Sequence, residues 1–326
     1  MAQSFMMNSR DETDDGFGWQ KGPMRFFTSD AAPAKLTLKK SWSELSAKDF
    51  TKALVKQAQS FPRFSEEENE SQKHLSLFVH GYNNDWADTV KRYASIQSRL
   101  FDGGAQSLGT LVLYTWPSDG NAAGYLPDRE DARACAPDLA EALVVLHDQI
   151  ITMQRAAAMT ERSEAKRFCK AKISVIAHSM GSYVMQKALA IASRRINNPQ
   201  LVTLIHQLVL VAGDIDNDIF DKTLPPDSDG VLMTNLCYRI GALYSGLDAV
   251  LGASAGLKHF GTRRLGRSGL ADRTKVPDNV FDHDVTALIK NTPGSTHSAV
   301  FETPAAMELV RNILIGIDRN LLPLPS

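Results

Sequence analysis

The stretch that most constrains this chain is Ala177-His178-Ser179-Met180-Gly181, which sets a serine on a tight turn between two runs of different period. Lys172-Ile173-Ser174-Val175-Ile176 before it reads as a buried strand, whereas Val184, Ala188, Leu189 and Ile191 after it recur at helical spacing. Strand, small-x-Ser-x-Gly turn and helix is the setting of a nucleophile elbow, in which the serine is presented at the end of a sheet. The small residues two places before and after the serine answer to packing, because the strand and helix backbones come close there. Alanine at 177 stands where the pattern usually has glycine, and it is still small. The bland reading is a chance match in a surface loop, but an exposed serine on a strained turn is a poor place for a purely structural residue.

A serine hydroxyl is a weak nucleophile and needs a base, an acid to orient that base, and donors for the oxyanion. Leu75-Ser76-Leu77-Phe78-Val79 is a second buried-strand run, ending in His80-Gly81-Tyr82-Asn83-Asn84. The glycine lets the backbone turn sharply, which would aim the amide of Tyr82 at the serine, with the amide of Met180 as its partner. The same turn suits a helix cap, with Trp86, Val90, Tyr93, Ile96 and Leu100 as the stripe that follows.

Of the eight histidines, His74 and His206 open apolar runs and His147 sits in a helical run. His178 belongs to the elbow, and His259 lies in a loop of glycine and basic residues. His297, in Pro293-Gly294-Ser295-Thr296-His297-Ser298, follows the last strand-like run, where the order nucleophile, acid, histidine calls for the base. His283, inside the run from Asn279 to Val285, is the reserve. Two loops offer the acid, Asp214 after the run Gln207 to Ala212 and Asp248 after the run Leu236 to Leu243; both belong at the carboxyl edge of a parallel sheet. Asp214, with Asp216 and Asp218, equally suits a helix start. Asp248, one strand later, is the preferred acid and Asp214 the alternative.

Together with Tyr114-Thr115-Trp116-Pro117-Ser118, Tyr125 with Asp128, and Tyr244-Ser245 through Asp248, these motifs resemble a bacterial α/β-hydrolase family of unknown function. That family is lipase- and esterase-like and carries an A-H-S-M-G elbow. The likeness runs from about His74 to the C-terminal helix, and Phe26-Phe27-Thr28 is similar to the family's first strand. The resemblance implies an α/β-hydrolase fold, with Ser179 as nucleophile, Asp248 as acid and His297 as base. It implies no substrate, since the family is defined by fold and motif.

From His74 onward, strand-like and helix-like runs alternate, the pattern of a mostly parallel sheet with helices on both faces. At 326 residues and 43% hydrophobic, the chain can bury one large core. Residues 74–326 are expected to form the catalytic core and residues 1 to about 22, polar and glycine-interrupted, a poorly ordered tail. Between them, residues 23–73 are expected to supply strands near Met24 to Thr28 and Leu36 to Lys39, packed on the core. A capping box at Ser41-Trp42-Ser43-Glu44 is expected to precede a helix on Phe50, Leu54, Ala58 and Phe61. Ser65 to Ser71 reads as a solvated acidic loop. The helix-like span from Asp128 to Met159 contains Pro137, expected to start a new helix or kink this one.

A net charge of -1 from 36 basic and 37 acidic side chains gives no sign of a duplex-wide phosphate-binding surface, so nucleic acid is not an expected partner. Cys135, Cys169 and Cys237 form no C-x-x-C pair and are odd in number, which argues against a disulfide framework or a metal site. They fit a reducing compartment. With no secretory pattern at the N-terminus and no run long enough for a membrane span, the expectation is a cytoplasmic protein without a cofactor.

The expected function is hydrolysis of carboxylic esters through an acyl-enzyme on Ser179, with a small ester or acyl compound as substrate. Its rivals are an acyltransferase using the same residues and a catalytically silent fold that binds an acyl ligand or a protein partner. Serine instead of aspartate at the elbow sets aside dehalogenase and epoxide-hydrolase chemistry, which uses a carboxylate nucleophile. Trp116, ending a strand that leaves the same edge, is a candidate for substrate contact. So are Arg263 and Arg264, in a segment that also carries Lys258 and Arg267 and no acid between 251 and 269. Such a loop is ordinarily only solvated, but beside the pocket mouth its arginines would hold an anionic group.

Overall fold

Alternate residues of the central strands face opposite sides of the sheet, and both sides are apolar. Along β4 (His74–Val79), Leu75, Leu77 and Val79 join one core while Phe78 joins the other. The computed structural model describes residues 3–14, 16–61, 73–102, 104, 106–118, 124–158, 171–196, 203–258, 261–290 and 295–322. Among these, nine strands make one sheet in the order β3-β2-β1-β5-β4-β6-β7-β8-β9. The others are β1 (Ser4–Glu12), β2 (Phe17–Ser29), β3 (Ser43–Leu45), β5 (Gly109–Thr115), β6 (Lys172–His178), β7 (Ile205–Val211), β8 (Cys237–Tyr244) and β9 (Val280–Asp284). Only β2 runs against the rest, pairing antiparallel with both β1 and β3.

Helices α1 (Ala47–Ser60), α3 (Tyr125–Ala158) and α4 (Gly181–Ile196) cover one face, through residues such as Leu54, Leu139 and Val184. Helices α2 (Trp86–Leu100) and α7 (Pro304–Leu314) cover the other, through Val90, Tyr93, Val310 and Ile313. Two further helices, α5 (Asp229–Leu236) and α6 (Ala249–Lys258), follow β7 and β8. From β4 the chain steps outward to β5, then crosses back through α3 to β6 on β4's other side. The winding reverses at β4, so the loops leaving β4 and β6 diverge around a crevice at the carboxyl edge. His80 and Ser179 leave the sheet at that crevice.

The N-terminal segment differs from the sequence reading. Ser4 to Glu12, expected as part of a disordered tail, is an interior strand paired with β2 on one side and parallel to β5 on the other, Phe5 opposite Val112. Its polar letters concealed it. Ser4, Asn8, Ser9 and Arg10 are buried, and each is satisfied, Ser9 by the Tyr114 hydroxyl at 3.2 Å and Asn8 by the carbonyl of Arg10 at 2.9 Å. Leu36 to Lys39 is not a strand; short 3-10 turns flank it, and β3 begins only at Ser43. The cap of α1 is Ser46, whose hydroxyl accepts from the amide of Asp49 at 3.1 Å, in place of Ser41. Helix α3 runs through Pro137 without ending. The acidic loop of residues 65–71 and Cys169 lie outside the described residues, and no described helix is long and apolar enough to cross a membrane.

Burial holds four histidines neutral. It draws His74 down to about 3 and His206 to about 4, and holds His80 and His178 well below their ordinary 6.5. The unfolded chain takes up protons on these rings below 6.5 while the folded chain does not. The stability they secure is therefore complete above 6.5 and drains as pH falls toward their folded values. Each adds at most about 1.4 kcal/mol per pH unit to the slope. The urea midpoint is expected to fall steadily from pH 6.5 to about 5, ahead of carboxylate protonation; a flat midpoint there would show that these rings are not held neutral.

Candidate active site

Ser179 adopts φ +52°, a left-handed backbone that a residue with a side chain keeps only when its surroundings enforce it. They do so on three sides. Its amide donates to the carbonyl of Val211 at 3.0 Å, and its own carbonyl accepts from the amides of Ser182 and Asp214, both at 3.0 Å. The glycine two residues on is required by space, since a Cβ on Gly181 would lie 2.5 Å from the carbonyl oxygens of both Val79 and His80.

The loop after β4 touches this turn directly. A Cβ on Gly81 would sit 2.7 Å from the Cβ of Ser179. His80 Nδ1 donates to the Gly81 carbonyl at 2.9 Å, and Asn84 Nδ2 donates to the carbonyls of Gly81 at 3.1 Å and Tyr82 at 2.8 Å. Because the peptide is planar and trans, turning the Gly81 carbonyl toward Asn84 turns the Tyr82 N–H the other way.

Trp116, expected to contact substrate, is fully buried. It stacks on the His80 ring with planes 6° apart, donates from Nε1 to the His80 carbonyl at 2.9 Å, and so supports the loop from beneath. Arg10, which sequence reading left in a tail, ties the same loop to its neighbours. Its guanidinium donates to the carbonyls of Asn84 at 2.8 Å, Ser118 at 3.0 Å and Gly18 at 3.0 Å, and to Thr115 Oγ1 at 2.8 Å. Burial lowers its pKa to about 10, against the opposing charges of Asp128 and Asp85. No motif marks it, because its four acceptors come from segments far apart in the chain.

His297 Nδ1 lies 2.7 Å from Asp248 Oδ2. A carboxylate only accepts, so Nδ1 carries the proton, and in the neutral ring Nε2 keeps its lone pair. The other oxygen of Asp248 accepts the amide of Leu251 at 2.9 Å, which caps the start of α6 and fixes the carboxylate. The carbonyl of His297 accepts from His178 Nε2 at 3.1 Å, bringing the loop against the residue preceding Ser179. The elbow histidine is therefore a strut. His283 stays in the ladder of β9, opposite Leu243.

Asp214 serves a different group. It is buried, and accepts from Arg264 Nε at 2.7 Å, the Tyr125 hydroxyl at 2.7 Å and the Ser254 hydroxyl at 3.3 Å. Burial alone would raise its pKa; Arg264 and the Tyr125 hydroxyl outweigh that and hold it below the usual carboxylate range. Arg264, expected at the pocket mouth, is wholly buried and also bonds Asp216, whereas Arg263 is exposed. Arg267 donates to the Asp248 carbonyl. The basic segment is thus largely internal scaffolding; the side chain of Lys258, and His259, lie outside the described residues.

A cleft of about 540 Å³ opens over this edge, its walls including Tyr82, Arg92, His178, Val250, His297 and Phe301. Among the described residues, no cluster of histidine, cysteine and carboxylate side chains could hold a metal ion.

The model of the family described as "Alpha/beta hydrolase of unknown function (DUF900)" matches residues 57–304. The chain belongs to this family. Its mostly parallel nine-stranded sheet with helices on both faces is the α/β-hydrolase fold, and the match spans the His80 loop, the elbow, Asp248 and His297. No curated protein matches the chain in sequence. Among solved structures, it is similar to lipase B of Aspergillus fumigatus at 13% identity and TM-score 0.40, over 78% of this chain and 54% of that one. The chain thus spans about half the length of that lipase. It is also similar to a lipase-esterase related protein of Clostridium acetobutylicum, at 13% identity and TM-score 0.31 over 75% and 96% of the two chains. For an esterase of Pyrobaculum calidifontis the values are 11% and 0.34, over 83% and 91%.

The Asp214 cluster yields a stability test. Arg264→Ala strands a buried carboxylate and is expected to cost about 3–5 kcal/mol, whereas Arg263→Ala should stay within about 0.5 kcal/mol of the parent. Denaturant unfolding of both variants checks this; equal losses would contradict the assigned roles.

Proposed function

We propose that this family member is a serine hydrolase of carboxylic esters, working through an acyl-enzyme on Ser179. The observation that carries the reading is the pairing at one sheet edge of two features. A serine is held at φ +52° ahead of a helix, and an imidazole is fixed by Asp248 at 2.7 Å and tied to the serine's neighbour.

Ser179 Oγ attacks the ester carbonyl while His297 Nε2 takes its proton. Asp248 keeps that nitrogen in the accepting tautomer and stabilises the imidazolium that forms. The amides of Tyr82 and Met180 receive the oxyanion; the inward turn of the Gly81 peptide and the start of α4 suit them to it. The protonated His297 then gives its proton to the leaving alcohol. Water, deprotonated by the same ring, attacks the acyl-enzyme carbonyl; the bond to Ser179 Oγ then breaks, His297 returns the proton to that oxygen, and the acid leaves. The backbone donors need no rearrangement between the two halves of the reaction.

Ser179→Ala is expected to fold and to lose both fluorophosphonate labelling and ester turnover, the latter by several orders of magnitude. Full activity in this variant would end the reading. Asp248→Asn should lower kcat by about a thousandfold or more by favouring the wrong tautomer, and far more than Asp214→Asn, whose damage should register in stability. The reverse ranking would move the acid to Asp214.

A further inference from the structure

The arginines of residues 263–267 are committed inside the fold or exposed, yet a different arginine faces the cleft. Arg92 lies on α2, half-buried, with its guanidinium 5.2 Å above the ring of Phe301. Phe301 in turn meets the His178 ring at 5.2 Å, edge to face, so a single phenyl ring separates Arg92 from the elbow. Stacking on Phe301 is the ordinary role for such an arginine. It does not account for Nε, which is shut off from solvent and has no hydrogen-bond partner among the described residues. Among the described residues, no carboxylate forms an ion pair with Arg92. Asp88 pairs with Lys91 at 3.5 Å, and Asp88 and Glu302 act on Arg92 only at longer range, against the burial that lowers its pKa.

We propose that Arg92 binds a carboxylate on the substrate, so that esters bearing an acidic group a few bonds from the scissile carbonyl are the preferred class. This rests on the serine-hydrolase reading. A guanidinium on the cleft wall with no carboxylate paired to it offers charge-assisted donors to a substrate carboxylate, and a small turn of the side chain toward the cleft would bring Nε into the same fork. The opposing charges of Asp88 and Glu302 are exposed and screened by solvent and salt, whereas the Arg92 guanidinium is half-buried and screened less.

The test compares the p-nitrophenyl monoester of glutaric acid with the neutral p-nitrophenyl valerate. A second pair, a butyryl ester of a hydroxybenzoate and its uncharged phenyl counterpart, moves the carboxylate to the alcohol side. For wild type, at least one acidic ester is expected to exceed its neutral counterpart by about tenfold or more in kcat/KM, with the ratio shrinking as salt is added. Arg92→Gln should bring that ratio close to one, and Arg92→Lys should keep part of it. No preference in wild type for either acidic ester, or a ratio unchanged in folded Arg92→Gln, overturns the proposal. If the glutamine variant does not fold, the lysine variant and the salt series on wild type decide. Calorimetry with free glutarate and free hydroxybenzoate needs no turnover: binding of either to wild type that is lost in Arg92→Gln supports the site, and no binding of either to wild type overturns it. Fluorophosphonate labelling of the same samples reports on Ser179 separately, so failure of one reading is distinguishable from failure of the other.

Discussion

Bare backbone packed on bare backbone is the condition on which the rest of this structure depends. Where α4 begins, Gly181 lies so close to the end of β4 that the carbonyls of Val79 and His80 occupy the space of any side chain. This approach sets the angle at which the chain leaves β6, and with it the left-handed conformation of Ser179. Such a conformation costs about 1–3 kcal/mol. It persists because three backbone hydrogen bonds, to Val211, Ser182 and Asp214, and a core on both faces of the sheet over-determine it.

Around that contact, two buried arginines solve the same problem differently. Arg264 is neutralised by Asp214 and thereby locks the loop after β7 to the segment preceding Leu265. Arg10 has no carboxylate in contact among the described residues and spreads its charge over three carbonyls and a hydroxyl, each from a different loop or strand. In both cases the desolvated charge gains little net stability, but it restricts the loops to one arrangement. Arg92 is the contrast, a half-buried guanidinium on the cleft wall whose Nε has no acceptor among the described residues.

The parts of the fold that were legible in the sequence are those where local pattern and tertiary role coincide. Buried parallel strands read as apolar runs, and the elbow and the His80 loop carry short-range constraints on residue size. Asp248 and His297 could be proposed from their order along the chain, but only three dimensions could show that Asp248 meets His297 and that Asp214 meets Arg264. Strand β1 was missed because its buried polar residues are satisfied by Gln97, Tyr114 and Thr115, partners that leave no local trace. Arg264 was misjudged for a related reason: a cluster of basic letters looks solvated until the carboxylate that buries one of them is located.

The position of β1 has a consequence for how the molecule is made. Its pairing with β5 joins residues 107 positions apart and the bond from Arg10 to Thr115 spans 105, so this strand leaves the ribosome long before its central partner exists. Loop closure of that length must precede the contact, which makes the step slow. Until then, Phe5, Met6 and Met7 remain in water beside an unpaired strand edge, a sticky combination in a nascent chain. Completion of the sheet, and with it the anchoring of the loop beneath Ser179, thus becomes one late event shared by folding and by the site.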